Sequence, residues 1–196
     1  MLLLLGPSAS GKTESAKIMI NRYPISRMVT YTTRPKRINE IDGFDYNFVT
    51  EEQFMIYRDQ SFFVETAQYN QYMYGTPKNQ MGHDKFIILE PQGLRSFLKI
   101  KDCPIVAIFL KTDEETRIKR MKLRKDKPED IKKRIESDRI QFDLSKIDGL
   151  DLVIDTTNIS LPDLADIIYI SYIDLMKKKA LPYEQLSLFE SMREVL

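Results

Sequence analysis

The stretch that most restricts how this chain can fold is LLLLGPSASGKT, Leu2–Thr13. Leu2-Leu3-Leu4-Leu5 is a short apolar run unbroken by any polar residue, the pattern of a strand buried on both faces. It runs directly into GPSASGKT, Gly6 to Thr13, which satisfies G-x-x-x-x-G-K-[ST] in full. Behind it, ESAKIMINRYP spaces Ala16, Met19, Ile20 and Tyr23 as a helix does, and Pro24 stops it. Strand, glycine-bounded loop and helix in that order form a cradle for phosphate. Successive N–H groups converge there at the positive end of a helix. Gly6, Ser8, Ala9, Ser10, Gly11, Lys12 and Thr13 are therefore expected at a nucleotide. Lys12 would bridge its β- and γ-phosphates, and the Thr13 hydroxyl would hold Mg²⁺. A chance match in a Gly/Ser loop is the competing reading, and it leaves the flanking strand and helix unexplained.

The core resumes after a change of texture. From Thr30 to about Pro77 apolar residues come singly among Tyr, Thr and Asn, with an Asp42-Gly43 turn signal, as in an insert of short strands and loops. Phe86–Leu89 and Pro104–Leu110 read as buried strands, Asp151–Asp155 as a final one. Ser160 caps a helix with Leu164, Ile168, Tyr172, Leu175 and Met176 on one face. Strands alternating with helices imply an α/β fold with a largely parallel sheet. The 196 residues suit one domain, and 42% hydrophobic with 30% charged residues is an ordinary globular balance. A net charge of +1 gives no global pull towards nucleic acid or membrane, so anion binding must be local. One cysteine, Cys103, rules out a disulfide framework and a cysteine zinc site within the chain and fits a reducing compartment. Met1–Leu5 is too short for a signal peptide or membrane span, so a cytoplasmic location is expected.

Several groups have chemistry to offer, each with a plainer reading beside it. TTRPKR, Thr32–Arg37, concentrates hydroxyls and cations suited to an anion. Glu90 ends the Phe86–Leu89 strand, where an acid can reach a metal through water or simply close a turn. Arg117–Arg134 holds ten basic and three acidic residues. It is either a solvated helical face or a lid whose Arg120, Arg124 and Arg134 stabilise a transferring phosphoryl group. Phe63–Pro77 carries Glu65, Tyr74 and Thr76 among aromatics, for base or phosphate recognition or for packing. Met55, Tyr57 and Phe62 read as packing, and His83, the only histidine, receives no catalytic role.

GPSASGKT, then VTYTTRPKR, DGFDYNFV, FVETAQYNQYMYGTP and the basic stretch, in that order, resemble a guanylate kinase. The resemblance implies a P-loop kinase: a parallel-sheet core (1–29, 82–116, 141–179), a small mixed α/β nucleoside-monophosphate-binding insert (30–81) and a helical lid (117–140). Residues 180–196 extend beyond the usual end. It implies transfer of the γ-phosphoryl of MgATP to GMP or dGMP, by a monomer or homodimer. Positions matching Arg34, Arg37, Tyr46 and Tyr74 would bind the acceptor phosphate, and arginine forks suit a dianion. Positions matching Glu65 and Thr76 would read the guanine edge, with Thr30 close by. The chain departs from the family pattern where Leu89-Glu90-Pro91-Gln92-Gly93 is shorter than usual and keeps one acid. It departs again in a shorter lid, and in Asp155-Thr156-Thr157 where an asparagine is usual. Those departures leave open a kinase of another base preference. A catalytically inactive protein-binding relative is the rival of another class, against which Lys12, Thr13, Arg34, Arg37 and Arg124 all stand. A dimer-forming tail helix, with Leu186, Phe189 and Leu196 on one face, competes with docking of the tail on its own subunit.

Overall fold

The computed structural model describes residues 1–38, 40–69 and 71–179. Along the chain come β1 (Leu2–Leu5), α1 (Lys12–Arg22), β2 (Ser26–Arg27), β3 (Tyr31–Thr32), β4 (Asn47–Phe48), α2 (Glu51–Asp59), β5 (Phe63–Tyr69) and β6 (Tyr72–Pro77). There follow β7 (Lys85–Ile88), α3 (Pro91–Phe97), β8 (Val106–Lys111), α4 (Glu114–Leu123), α5 (Pro128–Gln141), β9 (Leu152–Asp155) and α6 (Leu161–Lys178).

The leucine run behaves as its pattern demands. Side chains alternate across a strand, so Leu2 and Leu4 pack under α1 and α6 while Leu3 and Leu5 pack against Leu94 and Phe97 of α3. All four leucines are fully buried, each contributing roughly 1.5–3 kcal/mol of transfer free energy. β1 is thus the centre of a five-stranded sheet, order β2-β7-β1-β8-β9, in which every neighbour is parallel. Parallel strands end on one side, and the neighbours of β1 are reached by crossovers in opposite directions. The crevice beyond their carboxyl ends is where such sheets bind ligands.

α1 and α6 lie together on one face. Tyr23 stacks on Tyr169 with centroids 4.0 Å apart, and Asp166 accepts from Arg22 at 2.7 Å and from the Tyr23 hydroxyl at 2.9 Å. Ser160 caps α6 by accepting from the Asp163 N–H, and Leu164, Ile168, Tyr172 and Met176 are buried, with Leu175 partly so. Ile20 differs from the expected α1 face: it is 45% exposed. The buried stripe of α1 is Ser15, Ala16 and Met19, because Ser15 turns its hydroxyl back to the Gly11 and Lys12 carbonyls and so fits inside.

A second sheet, order β4-β3-β6-β5, stands beyond the crevice. β5 and β6 pair antiparallel and bring Glu65 opposite Thr76. β3 pairs antiparallel with β6 but parallel with β4, so the Asp42-Gly43 turn, Gly43 at φ +76°, lies in a crossing loop and not a hairpin. α2 has no counterpart in the short strands and loops read from residue pattern but fits the mixed α/β insert that the resemblance implies; its start is fixed by a reciprocal Thr50–Gln53 capping box. Tyr57 and Phe62 pack with Tyr31, Phe54 and Phe63 in one aromatic cluster. Gly75 is the closest approach there: a Cβ would lie 2.8 Å from the Phe63 ring. The tail face Leu186, Phe189, Leu196 lies outside the described residues.

Candidate active site

The loop between β1 and α1 is shaped by backbone that side chains resist. Gly6 has φ +146°, and a Cβ there would collide with the Leu110 carbonyl. Gly11 caps α1 at φ +101°, and Ala9 is left-handed at φ +61°. The loop carbonyls are tied from outside. Arg120 donates to Ala9 O at 3.1 Å and to Thr156 O at 2.9 Å. The Thr156 hydroxyl donates to Ser10 O at 3.1 Å and shares a 2.6 Å bond with Thr112. Ser8 turns its N–H and hydroxyl to Asp138 of α5, away from the cradle.

Lys12 folds back over this loop, donating to the Gly6 and Pro7 carbonyls and to the Ser10 hydroxyl. Burial pushes its ammonium down from 10.5 to about 8, although Asp138 and Glu90 draw it the other way. A charge so poorly solvated gains more from an anion than a surface lysine would. A cavity of about 300 Å³ lies alongside, lined by Ala9, Lys12, Thr13, Arg120, Arg124 and Leu161. Arg124 and Arg134 converge from α4 and α5 on one carboxylate, Asp126, at 2.8 and 3.2 Å. Both are about half exposed.

Across the crevice is a cleft of about 600 Å³, which brings together Thr30, Tyr46, Glu65, Tyr74 and Thr76 with Glu90, Gln92 and Gly93. Thr76, buried, donates to Glu65 Oε1 at 3.0 Å. Glu65 Oε2 is turned towards Gly93 of α3. Tyr46 and Tyr74 meet edge to face at 6.1 Å, and the Arg34 guanidinium lies over the Tyr46 ring at 5.5 Å. Arg34 is not idle: it donates to Glu40 Oε1 at 2.6 Å, and the Arg37 N–H donates to Oε2 at 2.8 Å. Those bonds hold the Glu40 carboxyl below the usual range. The Arg37 side chain is exposed. Glu90 is an exposed α3 cap facing the cleft, and Thr13 is exposed in the first turn of α1. Among the described residues no cluster of His, Cys, Asp and Glu could hold a metal by itself.

The sequence model of the guanylate kinase family matches residues 1–169. The chain belongs to that family. It is 32% identical to a guanylate kinase of Mycoplasma genitalium over 79% of this chain and 68% of the relative. It is 30% identical to one of Wolbachia pipientis over 91% and 94%. In fold it is similar to a solved guanylate kinase of Anaplasma phagocytophilum, with a TM-score of 0.60 and 23% identity over 88% of this chain and 83% of that one.

Against this guanylate kinase frame, sequence reasoning overlooked three groups. Asp126 gathers Arg124 and Arg134, and Glu40 accepts from the Arg34 side chain and the Arg37 N–H. Asp126 sits inside the basic stretch, where an acid reads as charge balance, and Glu40 falls between the TTRPKR and DGFDYNFV motifs, in neither of them. The third is Asp138, buried with Arg117 at 2.6 Å, whose link to Ser8 spans 130 residues of chain and leaves no local pattern.

Proposed function

We propose that the protein transfers the γ-phosphoryl group of ATP to GMP or dGMP, giving ADP and GDP or dGDP. The observation that carries this reading is the pairing of two clefts on one crevice. One is lined by the phosphate loop with Lys12 and Arg120; the other offers a carboxylate fixed by a buried threonine. Phosphoryl transfer needs positioning and charge neutralisation more than a covalent nucleophile, and these residues supply both.

The N–H groups from Ala9 to Thr13 receive the β-phosphate, with Lys12 reaching the β/γ bridge. Arg120, Arg124 and Arg134 neutralise charge on the transferring group. The acceptor phosphate takes the place of Glu40 on Arg34, with Arg37, Tyr46 and Tyr74 around it. Glu65 accepts from guanine N1–H and the 2-amino group, with Thr76 holding the carboxylate and Thr30 nearby. Thr13 and, through water, Glu90 offer the hard oxygen donors that Mg²⁺ prefers. When bound, the ion screens the β- and γ-oxygens. We assign the core to 1–29, 82–116 and 141–179, the acceptor insert to 30–81, the lid to 117–140 and an extension to 180–196. The second sheet, within 31–77, supports this division. The lone cysteine supports a reducing, cytoplasmic setting.

Lys12→Ala is the test. Its loss removes several kcal/mol of transition-state stabilisation, so turnover should fall below about 1% with the fold intact by circular dichroism. A folded variant with near-normal turnover would reject the kinase reading in favour of a protein-binding domain.

A further inference from the structure

Arg117 and Asp138 form the most deeply buried ion pair among the described residues, 7% and 8% exposed and 2.6 Å apart. They sit beside an apolar seam, where Met121 of α4 meets Ile131 and Ile135 of α5, with Ala9 and Ile118 against it. An apolar pair would fill such a seam at no cost in desolvation, and buried ion pairs are often replaceable by hydrophobic ones without loss of stability. Arg117 Nε has no hydrogen-bond partner, a further cost. Stability therefore does not account for the pair.

Its contacts point to the phosphate loop. Asp138 Oδ2 accepts from the Ser8 N–H at 2.9 Å and Oδ1 from the Ser8 hydroxyl at 3.3 Å; Arg117 lies 3.5 Å from Ser8 O. Both peptide groups flanking Ser8 are thereby held from outside. The carbonyls of Ala9 and Ser10 are held by Arg120 and Thr156. A peptide whose carbonyl is drawn outward turns its N–H to the other side, which leaves the Ala9 and Gly11 N–H groups for a phosphate cradle while the Ser10 N–H bonds within the loop to Pro7 O at 3.3 Å. Asp138 also stands one helical turn after Arg134 on α5. We propose that Arg117 and Asp138 are positioning residues for the nucleoside triphosphate. The pair fixes the loop in its anion-binding shape and sets α5, with Arg134, at a fixed height over it. The carboxylate is tolerated beside a polyphosphate because Arg117 cancels its charge. The proposal rests on the kinase reading for the ligand's identity, but its consequences fall on the triphosphate site alone.

The test compares Asp138→Asn and the apolar pair Arg117→Met/Asp138→Leu with the unaltered protein. Binding of a non-hydrolysable ATP analogue and of GMP is measured by calorimetry, alongside thermal melting. The double variant should melt at or above the unaltered protein yet bind the ATP analogue about tenfold or more weakly, with GMP binding within about twofold. A double variant that is folded and binds the analogue normally would show the pair to be structural only. If that variant does not fold, Asp138→Asn decides. A selective loss of analogue affinity supports positioning; an equal loss for both ligands, or none, overturns it. Failure of the unaltered protein to bind GMP would count against the acceptor assignment and leave the analogue comparison valid.

Discussion

Changing one oxygen of Glu65 to an amide nitrogen isolates the group proposed to read the base. In the structure Oε1 is occupied by the buried Thr76 hydroxyl at 3.0 Å, and Oε2 is turned across the cleft towards α3. Guanine presents N1–H and the 2-amino group, two donors side by side, to that carboxylate. Glu65→Gln keeps shape and volume but forces a choice. If the amide oxygen stays with Thr76, the amide NH₂ faces the guanine donors. If it turns to guanine, Thr76 loses its acceptor in a buried site. Either way one hydrogen bond to a charged group is lost, about 1.5–3 kcal/mol, which corresponds to roughly 10- to 150-fold in kcat/KM for GMP. Adenine has an acceptor at N1 and no 2-amino group, so AMP should change by less than about threefold. The assay is ADP release with both acceptors at fixed ATP, for the unaltered and Gln proteins. An unchanged GMP value, or an equal loss for AMP, would refute the assignment of Glu65 to the base.

Three further outcomes follow from charge. Burial lowers Lys12 from 10.5 to about 8, so above pH 8 the free protein must take up a proton to bind ATP. KM for ATP should then rise by up to about tenfold per pH unit, while KM for GMP shows no such step. The same shift means that the unfolded chain holds more protons than the folded one between about 8 and 10.5. This group's share of ligand-free stability therefore grows across that window and is lost as pH falls to 8, readable by denaturant melts. Glu90→Gln should raise the Mg²⁺ concentration for half-maximal rate about tenfold, as a charged oxygen that reaches the ion through water is lost; an unchanged requirement would move that role to Asp155, at the carboxyl end of β9.

Some of this was legible because it was local. The leucine run, the loop after it and the α6 face each declare themselves within a few residues, since alternation and helical spacing are properties of the chain itself. Glu65 and Thr76 were legible through motif resemblance, and the β5–β6 register explains why that motif keeps them together. What escaped was set by distance or by competition. Ile20 has helical spacing, but Ser15 satisfies its hydroxyl within α1 and takes the inward position. β3 and β4 flank a turn signal yet pair in parallel, which no short-range pattern encodes. Arg117 and Asp138 read as two charges in a charged helix pair. Only the approach of Ser8 from the other end of the chain makes them a buried unit.

The central claim is that this crevice accepts a guanine monophosphate, and the direct measurement is ADP formation with GMP, dGMP, AMP, CMP, UMP and dTMP offered in turn to the unaltered protein. A carboxylate facing two donors should favour GMP and dGMP, with kcat/KM for GMP exceeding that for AMP by roughly 100- to 10,000-fold. A pyrimidine nucleotide or AMP turned over faster than GMP would contradict the account.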